Sequence, residues 1–292
     1  MRIELERVGK RFGRQQVLRD VTLDLPSGAR VALVGPNGSG KSTLLKVLMG
    51  LLGYDGSVRI GGLDRRTDGA AIAPRLAYVP QVAPLAAASV GELVTAIADV
   101  RAVSAERVAA NAAALELDLV PVRSKPFRAL SGGMRQKVLL ALALAIDASL
   151  YILDEPTASL DARGRAAFLG LYQALAPAAT LVLCSHRLEE IRHLVDHVVL
   201  LEEGRVAFRG TADAFLAGRA ASVVELLVEG GAGEPWLRDR GFTAGAGGWW
   251  ARLATPAEKI QLLPAASRAL GGALRDVVVR DVESLDPRGP HA

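Results

Sequence analysis

The residues with the clearest chemical meaning form one short segment of the chain: Gly35, Pro36, Asn37, Gly38, Ser39, Gly40, Lys41, Ser42 and Thr43. They match the pattern G-x-x-x-x-G-K-[ST] from Gly35 through Ser42. Apolar residues 31–34 precede the segment and apolar residues at helical spacing follow it, which predicts a strand, a loop and a helix. Small residues let backbone N–H groups close around phosphates, and a helix N-terminus offers further free N–H groups. We therefore interpret residues 35–43 as a phosphate-binding loop.

Two side chains of this loop add charge and a metal ligand. Lys41 can reach the β- and γ-phosphates of a nucleoside triphosphate, and the Ser42 hydroxyl can bind the accompanying Mg²⁺. A glycine-rich turn without a nucleotide is the alternative interpretation. That alternative explains neither the lysine, the hydroxyl nor the flanking strand and helix, so the segment predicts nucleotide binding.

A pair of acidic residues, Asp154 and Glu155, follows the wholly apolar stretch 150–153. A continuous apolar run is typical of a strand buried on both faces of a parallel sheet. Phosphoryl transfer needs Mg²⁺, a positioned water and charge stabilisation. Asp154 is predicted to hold Mg²⁺, through water, and Glu155 to polarise the attacking water. A solvated acidic turn is the alternative, but the upstream phosphate-binding loop favours the catalytic interpretation.

Further motifs occur in a fixed order around these two. Gln81 follows the predicted strand 76–80, Leu130-Ser131-Gly132-Gly133-Met134 precedes Asp154-Glu155-Pro156, and Ser159-Leu160-Asp161 and His186 come after it. This ordered set resembles the nucleotide-binding subunit of ATP-binding-cassette (ABC) transporters, over roughly residues 1–216. The combination is highly specific, although only the phosphate-binding loop would be specific by itself.

The resemblance implies a role for each matching residue. Phe12, where the family often has tyrosine, would stack on adenine, and Gln81 would contact Mg²⁺, sense the γ-phosphate and begin a loop that meets the membrane partner. Ser131, Gly132 and Gly133 would contact the γ-phosphate bound by a second protomer, and Asp161 would connect the two sites. His186 would hydrogen-bond the γ-phosphate and orient the water. The implied cofactors are ATP and Mg²⁺.

Met134 is a departure from the resemblance, because the commonest signature of the family has glutamine there. Some exporter-type subunits carry methionine, so we do not interpret it as loss of function. Methionine cannot make the side-chain hydrogen bonds of glutamine, which removes their contribution to the contact between protomers.

Composition restricts the class of protein. The chain has 292 residues, 50% of them hydrophobic and 4% aromatic, and a net charge of +4 without a Lys/Arg run. A nucleic-acid partner is therefore not expected. Cys184 is the only cysteine, so no intramolecular disulfide forms. No apolar run approaches the roughly 20 residues of a membrane span. We expect a soluble, cytoplasmic chain, peripheral on the inner face of the cell membrane through a partner.

Alternating strands and helices predict an α/β fold with a mixed, largely parallel core sheet. The resemblance adds an antiparallel β subdomain and a helical signature subdomain at about 84–147. We expect the ABC domain to cover residues 1–217. Residues 218–292 predict a small α+β module in a β-α-β-β-α-β order, with a strand at 222–228, helices at 234–240 and 256–271, and a strand at 275–282.

The resemblance implies that two copies pair head to tail around two ATP molecules, because one chain has one phosphate-binding loop and one signature. A homodimer is the simplest case, and a heterodimer with a degenerate partner stays open. We expect the chain to hydrolyse ATP and to drive a separate membrane permease. The signature Leu-Ser-Gly-Gly-Met and the C-terminal α+β module resemble those of exporter-type subunits, so the expected direction is export. An importer subunit and an ABC ATPase acting on nucleic acid or ribosomes are the alternatives.

Overall fold

The computed structural model describes residues 1–174, 179–217 and 222–281. Its strands are β1 (Ile3–Phe12), β2 (Gln15–Leu25), β3 (Arg30–Val34), β4 (Asp55–Ile60), β5 (Leu63–Asp64), β6 (Leu76–Val79), β7 (Leu150–Asp154), β8 (Thr180–Cys184), β9 (His197–Glu202), β10 (Arg205–Thr211), β11 (Ser222–Val228), β12 (Thr243–Ala244), β13 (Trp249–Ala254) and β14 (Leu274–Asp281). Its helices are α1 (Lys41–Leu48), α2 (Gly69–Ile72), α3 (Val90–Arg101), α4 (Ala105–Ala114), α5 (Gly132–Ala145), α6 (Ala162–Gln173), α7 (Leu188–Leu194), α8 (Ala212–Ala217), α9 (Glu234–Asp239) and α10 (Pro256–Leu270).

The chain divides into two compact units. The first contains Met1–His186 and Glu190–Arg209, and the second contains Arg187–Glu189 and Gly210–Ala292. Each unit has its own cluster of buried apolar side chains.

The first unit is built on a sheet in the order β10-β9-β3-β8-β7-β6. The pairings from β9 through β6 are parallel. Every residue of β7 and of β8 is buried, as expected for parallel strands covered on both faces. Helix α1 buries four apolar side chains in the core that this sheet lines, namely Leu44, Leu45, Val47 and Leu48. This packing fixes the helix that follows the phosphate-binding loop.

A second sheet of the same unit has the order β2-β1-β4-β5, and its pairings are antiparallel. β1 and β2 are joined by a two-residue turn at Gly13 and Arg14, where Gly13 has φ 56°. Glycine takes this left-handed conformation without the clash that a Cβ would cause. The α/β core and the antiparallel sheet confirm the predicted fold class of the unit.

The segment 84–147 is mainly helical, as predicted, and each of its three α-helices has a serine as its N-cap residue. The side chains of Ser89, Ser104 and Ser131 each accept a hydrogen bond from a backbone N–H in the first turn of α3, α4 and α5. Such caps satisfy donors that the helix itself leaves unpaired. α5 is the most buried of the three, with eight buried side chains along its length.

Several element boundaries differ from the sequence prediction. The sequence pattern predicts a first strand at 3–8 and a helix at about 41–50 after the phosphate-binding loop, whereas β1 continues to Phe12 and α1 ends at Leu48. The short elements α2 and β5 were not predicted. The strand before Gln81 ends at Val79. The sequence pattern also predicts a helix at 161–175, and α6 begins at Ala162. The predicted end of that helix and the predicted strand end at residue 282 lie outside the described residues.

In the second unit the described residues 222–281 follow the predicted β-α-β-β-α-β order, with β12 and β13 as the central hairpin. The sheet order is β12-β13-β11-β14, and all its pairings are antiparallel. β11 alternates between buried and half-buried residues, which is typical of a strand with one face in a core. The buried cluster combines strand residues such as Val224 and Leu226 with Trp250 and with Leu262 and Ala266 of α10. Trp250 therefore lies in a small core.

Candidate functional site

The candidate site lies at one edge of the core sheet, where parallel strands end. Leu33 near the end of β3 is paired with Cys184 at the end of β8, and Cys184 is paired with Asp154 at the end of β7. Val79, the last residue of β6, is paired with Leu153. The segments that leave these four strands therefore emerge at the same edge, and they are the ones that carry the phosphate-binding loop, Glu155, His186 and Gln81.

The phosphate-binding loop needs glycine where it runs close to other backbone. Gly35 has φ 146°, and a Cβ there would lie 2.1 Å from the carbonyl oxygen of Leu201 on β9. Gly40 has φ 104°, and a Cβ there would lie 2.8 Å from Leu18 Cδ2. A side chain at either position would displace the loop from β9 or from β2. Gly38, with φ 83°, faces open space.

Lys41 lies over the loop. Its Nζ donates hydrogen bonds to the carbonyl oxygens of Gly35 at 2.6 Å and of Pro36 at 3.1 Å. Pro36 and Asn37 are exposed, so the loop is open to solvent beside the ammonium group. The lysine thus places a positive charge at the mouth of the loop, where it can meet an anion.

The N-terminus of α1 is available for an anion. Its N-cap is Gly40, no side chain caps it, and its first turn contains no acidic residue. Ser42 is exposed and Thr43 is half-buried at this end of the helix. The Ser39 hydroxyl is buried and has no hydrogen-bond partner among the described residues. A bound phosphate group would accept hydrogen bonds from the free N–H groups and from the unpartnered hydroxyl. Its negative charge would also interact favourably with the positive end of the helix.

Asp154 ends β7 as a buried carboxyl group with 6% of its surface exposed. Burial raises its pKa, while a hydrogen bond with the Cys184 thiol and the charges of Lys41 and Lys46 act in the opposite direction. Burial, together with the charge of Asp154, also raises the pKa of Tyr78 to about 12. A carboxylate held in such a place is stabilised by a cation.

Glu155 adopts an unusual backbone conformation, with φ 47°. The left-handed region costs a non-glycine residue about 1–2 kcal/mol. The conformation is held by a hydrogen bond from the Glu155 N–H to the Cys184 carbonyl at 2.8 Å, and the Glu155 carbonyl accepts one from the Ala158 N–H at 3.1 Å. The Glu155 carboxylate lies 2.8 Å from Nδ1 of His186. The turn after β7 therefore aims the carboxylate at the histidine that follows β8.

The exposed ring of Phe12 lies at the end of β1. About 47% of its surface is accessible, and Lys10 Nζ lies 5.1 Å from the ring centroid. An exposed aromatic face can stack on a nucleobase. The structure leaves this ring free to do so.

The signature motif forms the start of α5. Ser131 is its N-cap, and its hydroxyl accepts a hydrogen bond from the Met134 N–H at 3.2 Å. A Cβ on Gly133 would lie 2.9 Å from the Ser159 carbonyl oxygen, whereas a Cβ on Gly132 would meet nothing within 4 Å. The absence of a side chain at Gly133 thus lets the signature helix approach the segment that contains Asp161.

Asp161 has a local role that the sequence analysis did not predict. It is the N-cap of α6, and its Oδ1 accepts a hydrogen bond from the Gly164 N–H at 2.8 Å. The residue is exposed. One carboxylate oxygen is thereby held by the helix, which fixes the orientation of the group.

A further connection was missed in the sequence. The Gln136 side chain on α5 is buried, with 1% of its surface exposed, and its Nε2 donates to the Pro80 carbonyl at 3.3 Å. Pro80 immediately precedes the exposed Gln81. The signature helix is therefore bonded to the segment that places Gln81. Gln136 is a polar residue among the apolar residues that α5 buries, and this pattern could have indicated a buried hydrogen bond.

Ser42, Gln81 and Asp154 offer a hydroxyl, an amide oxygen and a carboxylate. Oxygen ligands of this kind, completed by water and phosphate oxygens, suit Mg²⁺. The residues present therefore fit Mg²⁺ and a nucleoside triphosphate. A strand, a glycine-rich loop with lysine, and an acidic pair at the end of a neighbouring strand together define a P-loop nucleotide-binding protein.

Comparisons with known proteins identify the family. Residues 18–158 match the family described as "ABC transporter". The chain is 37% identical over 242 residues to the "Cobalt import ATP-binding protein CbiO" of Rhodobacter capsulatus, covering 78% of this chain and 82% of that protein. The "Daunorubicin resistance ATP-binding protein DrrA3" of Streptomyces coeruleorubidus is 32% identical over 231 residues, covering 77% of this chain and 73% of that protein. The chain belongs to the family of ABC transporter ATP-binding proteins.

Other relatives are longer than the matched part. The "Sulfate/thiosulfate import ATP-binding protein CysA" of Yersinia pseudotuberculosis is 35% identical over 233 residues, and the match spans 73% of this chain and 61% of that protein. A solved "ATP binding subunit of ABC transporter" is 30% identical with a TM-score of 0.65, covering 73% of this chain and 91% of that one. The solved structure of a bacterial Atm1-family ABC exporter with ATP bound is 26% identical with a TM-score of 0.68, and the match covers 74% of this chain and 40% of that one. Among the described residues of this chain, no helix is both long and apolar enough to cross a bilayer.

Proposed function

We propose that this chain is the subunit of an ABC transporter that binds and hydrolyses ATP and drives a separate membrane permease. The observation that carries the proposal is the convergence of β3, β6, β7 and β8 at one sheet edge. That edge brings a phosphate-binding loop, an acidic pair, a histidine and a glutamine together. Membership of the ABC family supports the same function.

The phosphate-binding loop and the side chains around it would bind the nucleotide. The backbone of residues 35–43 would surround the phosphates, Lys41 would balance their charge, and Phe12 would stack on the base. Ser42, Asp154 and Gln81 would hold Mg²⁺, which supplies charge neutralisation on the phosphates when bound. The burial of Asp154 makes a cation at this position especially favourable.

Hydrolysis falls to Glu155 and His186. The Glu155 carboxylate would accept a proton from the attacking water, and a general base of this kind contributes typically 10²–10⁴-fold to the rate. His186 Nδ1 holds the carboxylate at 2.8 Å and would direct its other ring nitrogen toward the γ-phosphate. The backbone hydrogen bond between Glu155 and Cys184 fixes both groups relative to the sheet.

The second half of each site would come from another copy. Ser131, Gly132 and Gly133 at the start of α5 would meet the γ-phosphate bound by a partner, with Asp161 joining the two sites. We propose a head-to-tail homodimer, and a heterodimer with a degenerate partner is the alternative. The position of Gly133 against the Ser159 carbonyl supports a link between the signature and the Asp161 segment.

We infer export as the direction of transport from Met134 in the signature and from the C-terminal module. An importer subunit is the second candidate. The names of relatives do not favour export, since CbiO and CysA are named for import and DrrA3 for drug resistance. The chain would then lie on the cytoplasmic face of the cell membrane, held there by the permease.

The proposed domains are residues 1–217, which carry the ATP-binding fold, and residues 218–292, an accessory α+β module. The boundary is placed after α8, whereas the compact units separate after Arg209. The accessory module would be regulatory, would stabilise the dimer or would cover the cassette. The selectivity for a substrate would belong to the permease.

The test is a pull-down of tagged Glu155→Gln protein from detergent-solubilised membranes of its native cells with Mg-ATP, followed by mass spectrometry. Lys41→Ala protein, which is expected not to bind ATP, is the matched control. One polytopic membrane protein enriched with Glu155→Gln supports the proposal. Ribosomal proteins or nucleic acid without a permease would replace it with the ABC ATPase that acts on those partners.

A further inference from the structure

The sheet of the second unit has a long edge strand, β14, whose outer backbone edge pairs with no other described strand. β14 is the edge of the sheet β12-β13-β11-β14, and among the described strands it pairs with β11 alone. The opposite edge, β12, is only two residues long. An eight-residue edge strand leaves a row of backbone donors and acceptors available to another strand. β14 is therefore the place where this sheet can be extended.

The orientation of the backbone along β14 follows from one hydrogen bond. The Val277 N–H donates to Oδ1 of Asp276 at 2.7 Å, so it points away from β11. Because successive residues of a strand direct their backbone groups to opposite sides, Val279 also presents its N–H and C=O on the outer side. Val278 lies between them and pairs with Glu225 of β11.

The sequence of β14 is self-complementary about Val278. In an antiparallel pair of two such strands centred on Val278, Val277 lies opposite Val279 of the second copy. The Val277 N–H would transfer its hydrogen bond from the Asp276 carboxylate to the Val279 carbonyl of the second copy, and the Val277 carbonyl would accept one from the Val279 N–H. This exchange would release the Asp276 carboxylate for a new partner. Asp276 lies opposite Arg280 of the second copy. The two-fold axis repeats both relationships, so the pair contains two Val–Val contacts and two Asp–Arg contacts. Opposite charges directly across a ladder stabilise it, and like charges destabilise it.

The surface along this edge suits such a partner. Val277 and Val279 are 39% and 37% exposed, although their positions pair with the fully buried residues Leu226 and Val224 of β11. A second copy would cover the valines and extend the row of apolar residues. Arg280 bonds Glu225 of β11 at 3.0 Å, so an approaching Asp276 would continue a row of alternating charge.

We propose that β14 pairs with β14 of a second copy of this chain, joining two four-stranded sheets into one continuous sheet. The contact uses no nucleotide and no residue of the ATP site. It is therefore an interface additional to the proposed head-to-tail pairing. The head-to-tail pairing depends on ATP, whereas the β14 pairing holds two copies together when ATP is absent.

The test is sedimentation of the full chain without nucleotide, so that its outcome does not depend on ATP binding or hydrolysis. Asp276→Arg places arginine opposite arginine, and Arg280→Asp places aspartate opposite aspartate. Each is expected to raise the dissociation constant of the dimer about tenfold or more. Mixing the two variants restores opposite charges at every position and should restore a heterodimer. Asp239→Arg, the same change on an exposed helix residue of this unit, is the matched control.

A backbone variant tests the ladder itself. Val279→Pro removes an N–H that points away from β11, so the chain should fold as before but lose the pairing. Circular dichroism and thermal unfolding establish that the variant is folded. A nucleotide-free dimer that the three variants weaken and that Asp239→Arg preserves supports the proposal. A monomeric wild-type chain, or a dimer that all variants leave unchanged, overturns it.

Discussion

Nδ1 of His186 lies 2.8 Å from the carboxylate of Glu155. The two residues are far apart in the sequence, but β7 and β8 are neighbouring parallel strands. Glu155 directly follows β7, and one residue separates His186 from the end of β8. The backbone hydrogen bond from Glu155 to Cys184 extends this pairing by one step. The sheet thus determines the relative position of a carboxylate and an imidazole beside a phosphate-binding loop.

Lys41→Ala should abolish nucleotide binding. The ammonium group lies over the loop, bonded to the Gly35 and Pro36 carbonyls, and its charge is needed to balance the phosphates. Titration with a fluorescent ATP analogue measures the loss. Lys46→Ala, an exposed lysine on the same helix, should retain affinity, and equal binding by wild type and Lys41→Ala would show that Lys41 has no role.

Asp154→Asn should raise the free energy of unfolding of the nucleotide-free chain at pH 7. Burial raises the folded-state pKa of Asp154, so its ionised form is penalised in the folded chain at neutral pH. As the pH falls through the folded pKa toward the unfolded value of about 3.9, the wild-type carboxyl takes up a proton and the advantage of asparagine should disappear.

Asp147→Asn is the control for this pH dependence, because its sign is opposite. A hydrogen bond from Arg107 lowers the pKa of Asp147, so the carboxylate stabilises the folded chain above the unfolded pKa and this stabilisation is lost as the pH falls. Urea unfolding between pH 4 and pH 8 gives both differences. A gain from Asp154→Asn that does not change with pH would contradict the account.

The sequence predicted the parts of the site that depend on local spacing and on parallel-sheet geometry. The loop at residues 35–43 needs only its own residue types, and Asp154, Glu155 and His186 follow strands that had to end at one edge. Gln136 could not be predicted in this way, because its role depends on α5 lying beside Pro80. The Asp161 cap could have been predicted, because an aspartate directly before a helical segment is a usual N-cap residue. α2 and β5 are too short for periodicity to reveal them.

Gly133→Ala should destabilise the chain, whereas Gly132→Ala should not. A Cβ at Gly133 would lie 2.9 Å from the Ser159 carbonyl, and one at Gly132 would meet open space. Both changes replace glycine by alanine in the first turn of α5, so their effects on helix propensity are similar and the difference between them isolates the contact. Thermal unfolding without nucleotide measures it, and equal melting temperatures would show that the contact is not close.

Gln136→Leu should lower the free energy of unfolding by about 1–3 kcal/mol, because it leaves the Pro80 carbonyl without its hydrogen-bond donor. Gln173→Leu, at an exposed residue of α6, is the control and should change stability by less than about 0.5 kcal/mol. Urea denaturation measures both. A Gln136→Leu variant as stable as the control would mean that the link between α5 and the Gln81 segment is weak.

The central claim is that Glu155 activates water for ATP hydrolysis, and phosphate release by purified wild-type and Glu155→Gln protein tests it most directly. Glutamine keeps the size of the side chain but cannot accept the proton. The account predicts that Glu155→Gln binds Mg-ATP as tightly as wild type and releases phosphate about 10²–10⁴-fold more slowly. Near-normal turnover by Glu155→Gln would contradict the account.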